Sequence, residues 1–110
     1  MSAAARLPSA LEVSTLVRRV QAAGGFAAVL ARGDADSGAI LLVLAENGQN
    51  QRAYERMPSP DGDRVWHQAF ADESPRGEAM AAWLERRRQR DGDLWIVELD
   101  IAEGERFIVM

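Results

Sequence analysis

Three aspartate pairs, Asp34 with Asp36, Asp61 with Asp63 and Asp91 with Asp93, could each present two carboxylates to a hard cation such as magnesium or calcium. Every pair also lies beside glycine, where aspartate serves a tight turn by accepting hydrogen bonds from its own backbone, and the turn reading takes precedence. The stretch GDADSGA begins like a calcium loop, but Gly38 stands at the third ligand position and Glu46 misses the place of the closing glutamate. As a phosphate-binding loop it is too short, lacks the lysine and joins two strands instead of opening a helix. His67 is the single histidine, so no second imidazole can complete a metal site or a nucleophile triad. A carboxylate–metal hydrolase on Asp34 and Asp36, with His67 nearby, is therefore the third-ranked functional reading, and no metal is assigned. The RGD string at Arg32–Asp34 would need a secreted context to mean adhesion, and nothing in the sequence supplies one.

All 13 basic residues are arginine, in a chain of formal net charge -4. The bias runs over the whole sequence, so a GC-rich genome explains it more simply than selection for bidentate anion recognition. The densest positive charge is Arg86, Arg87, Arg88 and Arg90 in RRRQRDGDLWIVE. Arginines in the last turn of a helix complement its negative end, each adding roughly 0.3–1 kcal/mol. Alternatively, if two helix ends meet, they join Arg18 and Arg19 in a patch for an anion or RNA. Glu85, Asp91 and Asp93 dilute that field and no aromatic residues are interleaved with it, which disfavours nucleic acid. Arg32 is expected to pair with Asp34 or Asp36 and stiffen the loop. The candidate binding residues are thus Arg18, Arg19, Arg32, Asp34, Asp36, Arg86, Arg87, Arg88 and Arg90.

The elements that must position these groups follow from periodicity and punctuation. Residues 1–7 read as a flexible terminus and residues 8–110 as one domain. Ser9 with Glu12 fits a capping box, and Leu11, Val13, Leu16, Val17 and Val20 make one helical face ended by Gly24 and Gly25. Phe26–Arg32 and Ala39–Glu46 read as two strands of a hairpin around GDADSG; the second, AILLVLA, is apolar on both faces and belongs at the centre of the sheet. Gln51–Met57 reads as a half-exposed strand, with Ala53 and Met57 on one face and Arg52, Tyr54 and Arg56 on the other. PSPDGD then turns the chain into RVWHQAF, a second hairpin, in which Trp66 and Phe70 share a face. Ser74 and Pro75 read as N-cap and first position of a second helix with the stripe Ala79, Ala82, Trp83, Leu84. Leu94–Ile101 is a strand, and Arg106–Val109 a short terminal one. The fold class is α+β, in the order α-β-β-β-β-α-β: two helices on a largely antiparallel sheet of four to six strands.

At 110 residues and 47% apolar composition the chain can bury a core without staples. The absence of cysteine removes disulfides and thiolate chemistry and agrees with a reducing compartment, so the cytoplasm is the expected location. No segment approaches the apolar length of a membrane span, and no cofactor fingerprint is present. The segment VRRVQAAGGFAAVLARGDADSGAILLVL, a central tryptophan and RDGDLWIVELD together resemble an uncharacterised family of small bacterial proteins known mainly from alphaproteobacteria. In that family the last segment usually reads DPDLW, whereas Gly92 stands here in place of proline, which implies a looser turn. The resemblance implies kinship and carries no catalytic residue. The leading functional reading is a small cytoplasmic, non-enzymatic binding or interaction module whose partner is a second copy or another protein. An apolar C-terminus, RFIVM, is one patch that self-association would cover. An RNA- or anion-associated protein using the arginines is the alternative.

Overall fold

The structure is a computed structural model that describes residues 7–58, 64–74 and 76–108. Its elements are α1 (Ser9–Ala22), β1 (Phe26–Ala31), β2 (Ile40–Glu46), β3 (Gln49–Pro58), β4 (Arg64–Ala71), α2 (Glu78–Arg90), β5 (Trp95–Asp100) and a 3-10 turn, η1 (Gly104–Phe107). The order α-β-β-β-β-α-β is as the sequence requires. The strands form one mixed five-stranded sheet in the order β1-β5-β2-β3-β4. β5 runs parallel to β2, and every other pairing is antiparallel.

β2 lies in the middle because Ile40–Ala45 is apolar on both faces and is buried throughout. Ile40, Leu42 and Leu44 pack with Trp95, Val97 and Leu99 under α1. Leu41 and Val43 pack with Ala53, Leu94 and Ile96 under α2. The two helices therefore cover opposite faces of one sheet. On α1 the buried set is Ser9, Val13, Leu16 and Val20, with Leu11 turned out to solvent at 51% exposure. On α2 the buried residue is Met80, flanked by half-buried Trp83 and Leu84, while Ala79 and Ala82 are exposed. The long, pliable methionine side chain, and not the small alanines, reaches the sheet.

Several local expectations are overturned. β1 and β2 are not a hairpin: β5 inserts between them, and GDADSG is a bridge across the start of β5. The bridge is pinned by the Asp34 N–H donating to the Asp93 carbonyl (3.0 Å), the Trp95 N–H to the Ala39 carbonyl (2.8 Å) and the Trp95 indole N–H to the Asp34 carbonyl (2.7 Å). The capping box does not form. Ser9 Oγ instead donates to the Gly38 carbonyl at 2.6 Å, and the N–H groups of Ser9 and Ala10 donate to the carbonyls of Asp36 and Ala35, so the loop itself occupies the start of α1. α2 starts at Glu78 with Gly77 as N-cap, and the expected position of Pro75 lies outside the described residues. Its first turn is satisfied by Asp72, whose carboxylate accepts from the Met80 N–H at 2.7 Å. Arg106 and Phe107 belong to η1 and not to a strand.

The β3–β4 hairpin is present, although its turn, with Asp61 and Asp63, lies outside the described residues. β4 carries a bulge: Ala53 pairs with Phe70 but Tyr54 with Gln68, leaving Ala69 extra. Trp66 and Phe70 consequently face opposite ways. Trp66 packs on the α1 side, and Phe70 stacks on Trp83 of α2 at 5.1 Å.

A Cβ on Gly33 or Gly38 would run into the Asp93 carbonyl, so both glycines are required for the close approach of the bridge to β5. Gly33→Ala should therefore destabilise the protein by about 1–3 kcal/mol, read as a lower urea midpoint at unchanged slope. A loss below about 0.5 kcal/mol, the level of an ordinary surface change, would show that the bridge does not hold β5.

Candidate functional site

Each candidate binding residue has a definite place, whereas Asp61 and Asp63 lie outside the described residues. Arg18 and Arg19 lie on α1 and Arg86, Arg87, Arg88 and Arg90 on α2, so the sheet separates the two groups. Arg19 donates to the Phe107 carbonyl at 3.2 Å and lies over that ring. Arg87 reaches across to Glu55 of β3 at 2.7 Å and covers Trp83. Arg88 is 3.5 Å from Glu85, both more than half exposed. Arg86 and Arg90 are exposed. Arg32 does not pair with Asp34 or Asp36; its guanidinium lies 5.1 Å above the Trp95 ring. An open cleft of about 240 Å³ brings Arg32 beside Arg88, together with Glu85 and Asp91.

Asp34 closes its own loop, its carboxylate accepting from the N–H groups of Asp36 (3.1 Å) and Ser37 (2.8 Å). Those bonds, the Ser37 backbone first, hold its carboxyl below the ordinary value. Asp36 is exposed, and Asp91 accepts from the Asp93 N–H at 3.0 Å. His67 is exposed on β4, opposite Glu55. Among the described residues no three His, Asp or Glu side chains gather where they could hold a metal. No helix among them is long and apolar enough to cross a membrane.

β3 holds the polar chemistry that sequence reasoning missed. Its Arg52, Tyr54 and Arg56 face the α1 layer rather than solvent, and Arg52 is only 8% exposed. The guanidinium of Arg52 is met by both oxygens of Glu105 (2.7 and 2.8 Å) and donates to the Asn50 carbonyl (2.9 Å). Tyr54 donates to the same carboxylate at 2.8 Å. Arg56 makes a bidentate pair with Glu12 of α1 and lies 4.8 Å over the Trp66 ring. These contacts tie η1 and α1 to β3. Arginine with tyrosine at alternate positions opposite a two-sided apolar strand was the available signal, since such residues are buried when planar carboxylate partners arrive from elsewhere.

The remaining feature is β1. It is an edge strand of sequence FAAVLA, with Phe26 59%, Val29 39% and Leu30 50% exposed. It has no proline and no charge, although its register shifts between Val29 and Ala31. Native edges are usually blunted by such devices. Beside it, Val29 and Trp95 of the sheet, Arg32 just after β1, and Val13 and Val17 of α1 line an open groove of about 300 Å³. On the opposite face, Glu98 of β5 stands next to Ala28. Burial first, and Asp100 second, push its carboxyl above the ordinary value.

A family described as "Protein of unknown function (DUF1491)" matches residues 7–109. The chain belongs to this family. Among solved structures it is similar to a DUF1491 family protein from Caulobacter crescentus, seen in a crystal structure (30% identity, TM-score 0.82, covering 94% of this chain and 96% of that one). The NMR structure of a DUF1491 family protein from the same organism gives 30% identity and a TM-score of 0.80, covering 96% of each chain. The solution structure of protein Atu0922 from A. tumefaciens gives 35% identity and a TM-score of 0.79, covering 96% and 95%. These alphaproteobacterial sources bear out the kinship indicated by the GDADSG and DGDLW segments. No curated protein matches. Membership in the DUF1491 family thus fixes fold and kinship, and function must be argued from the site.

Two outcomes test the β3 network. Removing one partner of a fully buried ion pair costs roughly 3–5 kcal/mol, but the Glu105 side chain is 42% exposed. Glu105→Ala is therefore expected to cost about 2 kcal/mol in chemical denaturation, and a loss no larger than that of an exposed pair would refute the assignment. The Glu105 carboxyl is held down to about 2 by Arg52 first and Tyr54 next, against an ordinary 4.5. Its stabilisation is present above pH 4.5 and is lost as pH falls towards 2. Glu98, with a raised value, works in the opposite sense. The acid limb of a Tm-against-pH curve should accordingly flatten in Glu105→Gln relative to the parent.

Proposed function

We propose that this DUF1491 protein is a non-enzymatic protein-interaction module that binds by strand addition at β1. The observation carrying the reading is the open, uncharged, apolar edge of that strand. Such an edge presents unpaired N–H and C=O groups, and another polypeptide satisfies them by becoming the sixth strand, with side-chain pockets adding selectivity. The side chains flanking the edge supply apolar contact on the α1 side through Val13, Val17 and Trp95. A second copy of the chain can supply the strand, and self-association is the form of the reading open to direct measurement. The cytoplasm is the compartment proposed, from the lack of cysteine.

The arginine reading is weaker, because α1 and α2 lie on opposite faces and Arg19 and Arg87 are engaged within the molecule. The carboxylate–metal reading is weaker still, because Asp34 spends its carboxylate on its own loop.

Light scattering on a size-exclusion column at high micromolar concentration should show a concentration-dependent dimer, reduced to monomer in Leu30→Lys, which places a charge on the edge. A dimer that survives Leu30→Lys moves the interface away from β1. A strict monomer whose β1 amides also gain no protection from strand-forming peptides would sink the proposal.

A further inference from the structure

The edge of β1 carries information about the strand it takes up. Glu98 lies on β5, one strand in from the edge, paired with Ala28 of β1 on one side and Val43 of β2 on the other. Cross-strand partners point to the same face, so all three face the α2 layer. Glu98 is half-buried and makes no ion pair and no side-chain hydrogen bond among the described residues. Neither neighbour can answer it, since alanine and valine carry no donor. Asp100, next on the same face, has its carboxylate taken by the N–H groups of Asn47 (2.7 Å) and Gly48 (2.8 Å), and it adds negative potential without relief. A desolvated, unpaired carboxylate is costly unless a cation reaches it.

Resting on the strand-addition reading above, we infer that the strand taken up at β1 is a basic one, with an arginine or lysine opposite Ala28 whose charge is met by Glu98. An added strand puts the residue opposite Ala28 about 10 Å from the Glu98 backbone, two strand spacings away. The long side chains of the cation and of Glu98 close that gap from both ends, and the small Ala28 between them leaves the path open. The chain's net charge of -4 favours the same partner at long range. Burial raises the Glu98 carboxyl, as expected of a group whose partner is absent. A second copy does not fit this requirement, because its β1 offers only Phe26, Ala27, Ala28, Val29, Leu30 and Ala31, and the Arg32 that follows lies over the Trp95 ring of its own chain. Self-pairing would leave Glu98 unmet. A basic strand therefore competes with a second copy for the same edge.

The test uses the isotope-labelled full chain and three blocked heptapeptides of alternating threonine and valine that differ only at the centre: arginine, its neutral isostere citrulline, or glutamate. Amide shift titrations at low salt should move residues 26–31 and Glu98. The arginine peptide should bind about fivefold tighter than the citrulline peptide, the upper end for a part-exposed pair, with the glutamate peptide weakest. That preference should vanish in Glu98→Gln and also when salt is raised on the wild-type protein, an arm that needs no variant to fold. Equal binding of the arginine and citrulline peptides, or a preference that persists in Glu98→Gln, overturns the basic partner while leaving strand addition standing. No shift at β1 with any peptide overturns both.

Discussion

The parallel pairing of β2 with β5 is the constraint from which the rest of the molecule follows. Both strands are buried on both faces over Ile40–Ala45 and Trp95–Val97, so the pair is stable only between two layers. α1 fills one layer and α2 the other, and neither can be moved without exposing a row of Leu, Ile and Val. Because β5 occupies the place beside β2, β1 is displaced to the rim and GDADSG must reach across the start of β5. The glycines of that segment, the indole bond of Trp95 and the docking of the loop on the start of α1 are all consequences of this one insertion.

The same constraint sorts the charges. With a helix on each face, the arginines of α1 and α2 cannot join, and each set finds local work: Arg19 on the Phe107 carbonyl, Arg87 on Glu55. β3 is covered on its α1 face too, which buries Arg52 and half-buries Arg56. Glu105 and Glu12 meet them there in bidentate geometry from η1 and α1. Ion pairs of this kind add modestly to stability and more to definition, since a mispaired guanidinium would be left without acceptors. Glu98 is the contrasting case, a half-buried carboxylate that no cation among the described residues meets.

The sheet of this protein has two unlike edges. β4, the other edge, mixes polar His67 and Gln68 with Trp66 and Phe70, whereas β1 is uniformly apolar and uncharged. The asymmetry is not needed by the core, which is complete between β5 and β3. The two sides of β1 differ as well, with the groove beside α1 on one and the carboxylates of Glu98 and Asp100 on the other.

The sequence by itself determined the α+β class, the order of elements, the central place of AILLVLA and the β3–β4 hairpin, because these depend on local periodicity and on turns between neighbouring segments. It also carried the kinship, through GDADSG and DGDLW. It could not determine that β5 would enter between β1 and β2, since a hairpin and a bridged crossover present the same two apolar runs and the same polar link. From that one undetermined pairing came the other differences: the engaged loop of Asp34, the separation of Arg18 and Arg19 from Arg86 to Arg90, and the exposure of β1. The bulge at Ala69, the burial of Arg52 and the half-burial of Arg56 likewise depended on partners distant in the chain, Glu105 and Glu12 among them. Period-two patterning says which residues share a face, but only the packed sheet decides which face is covered and which edge is left open.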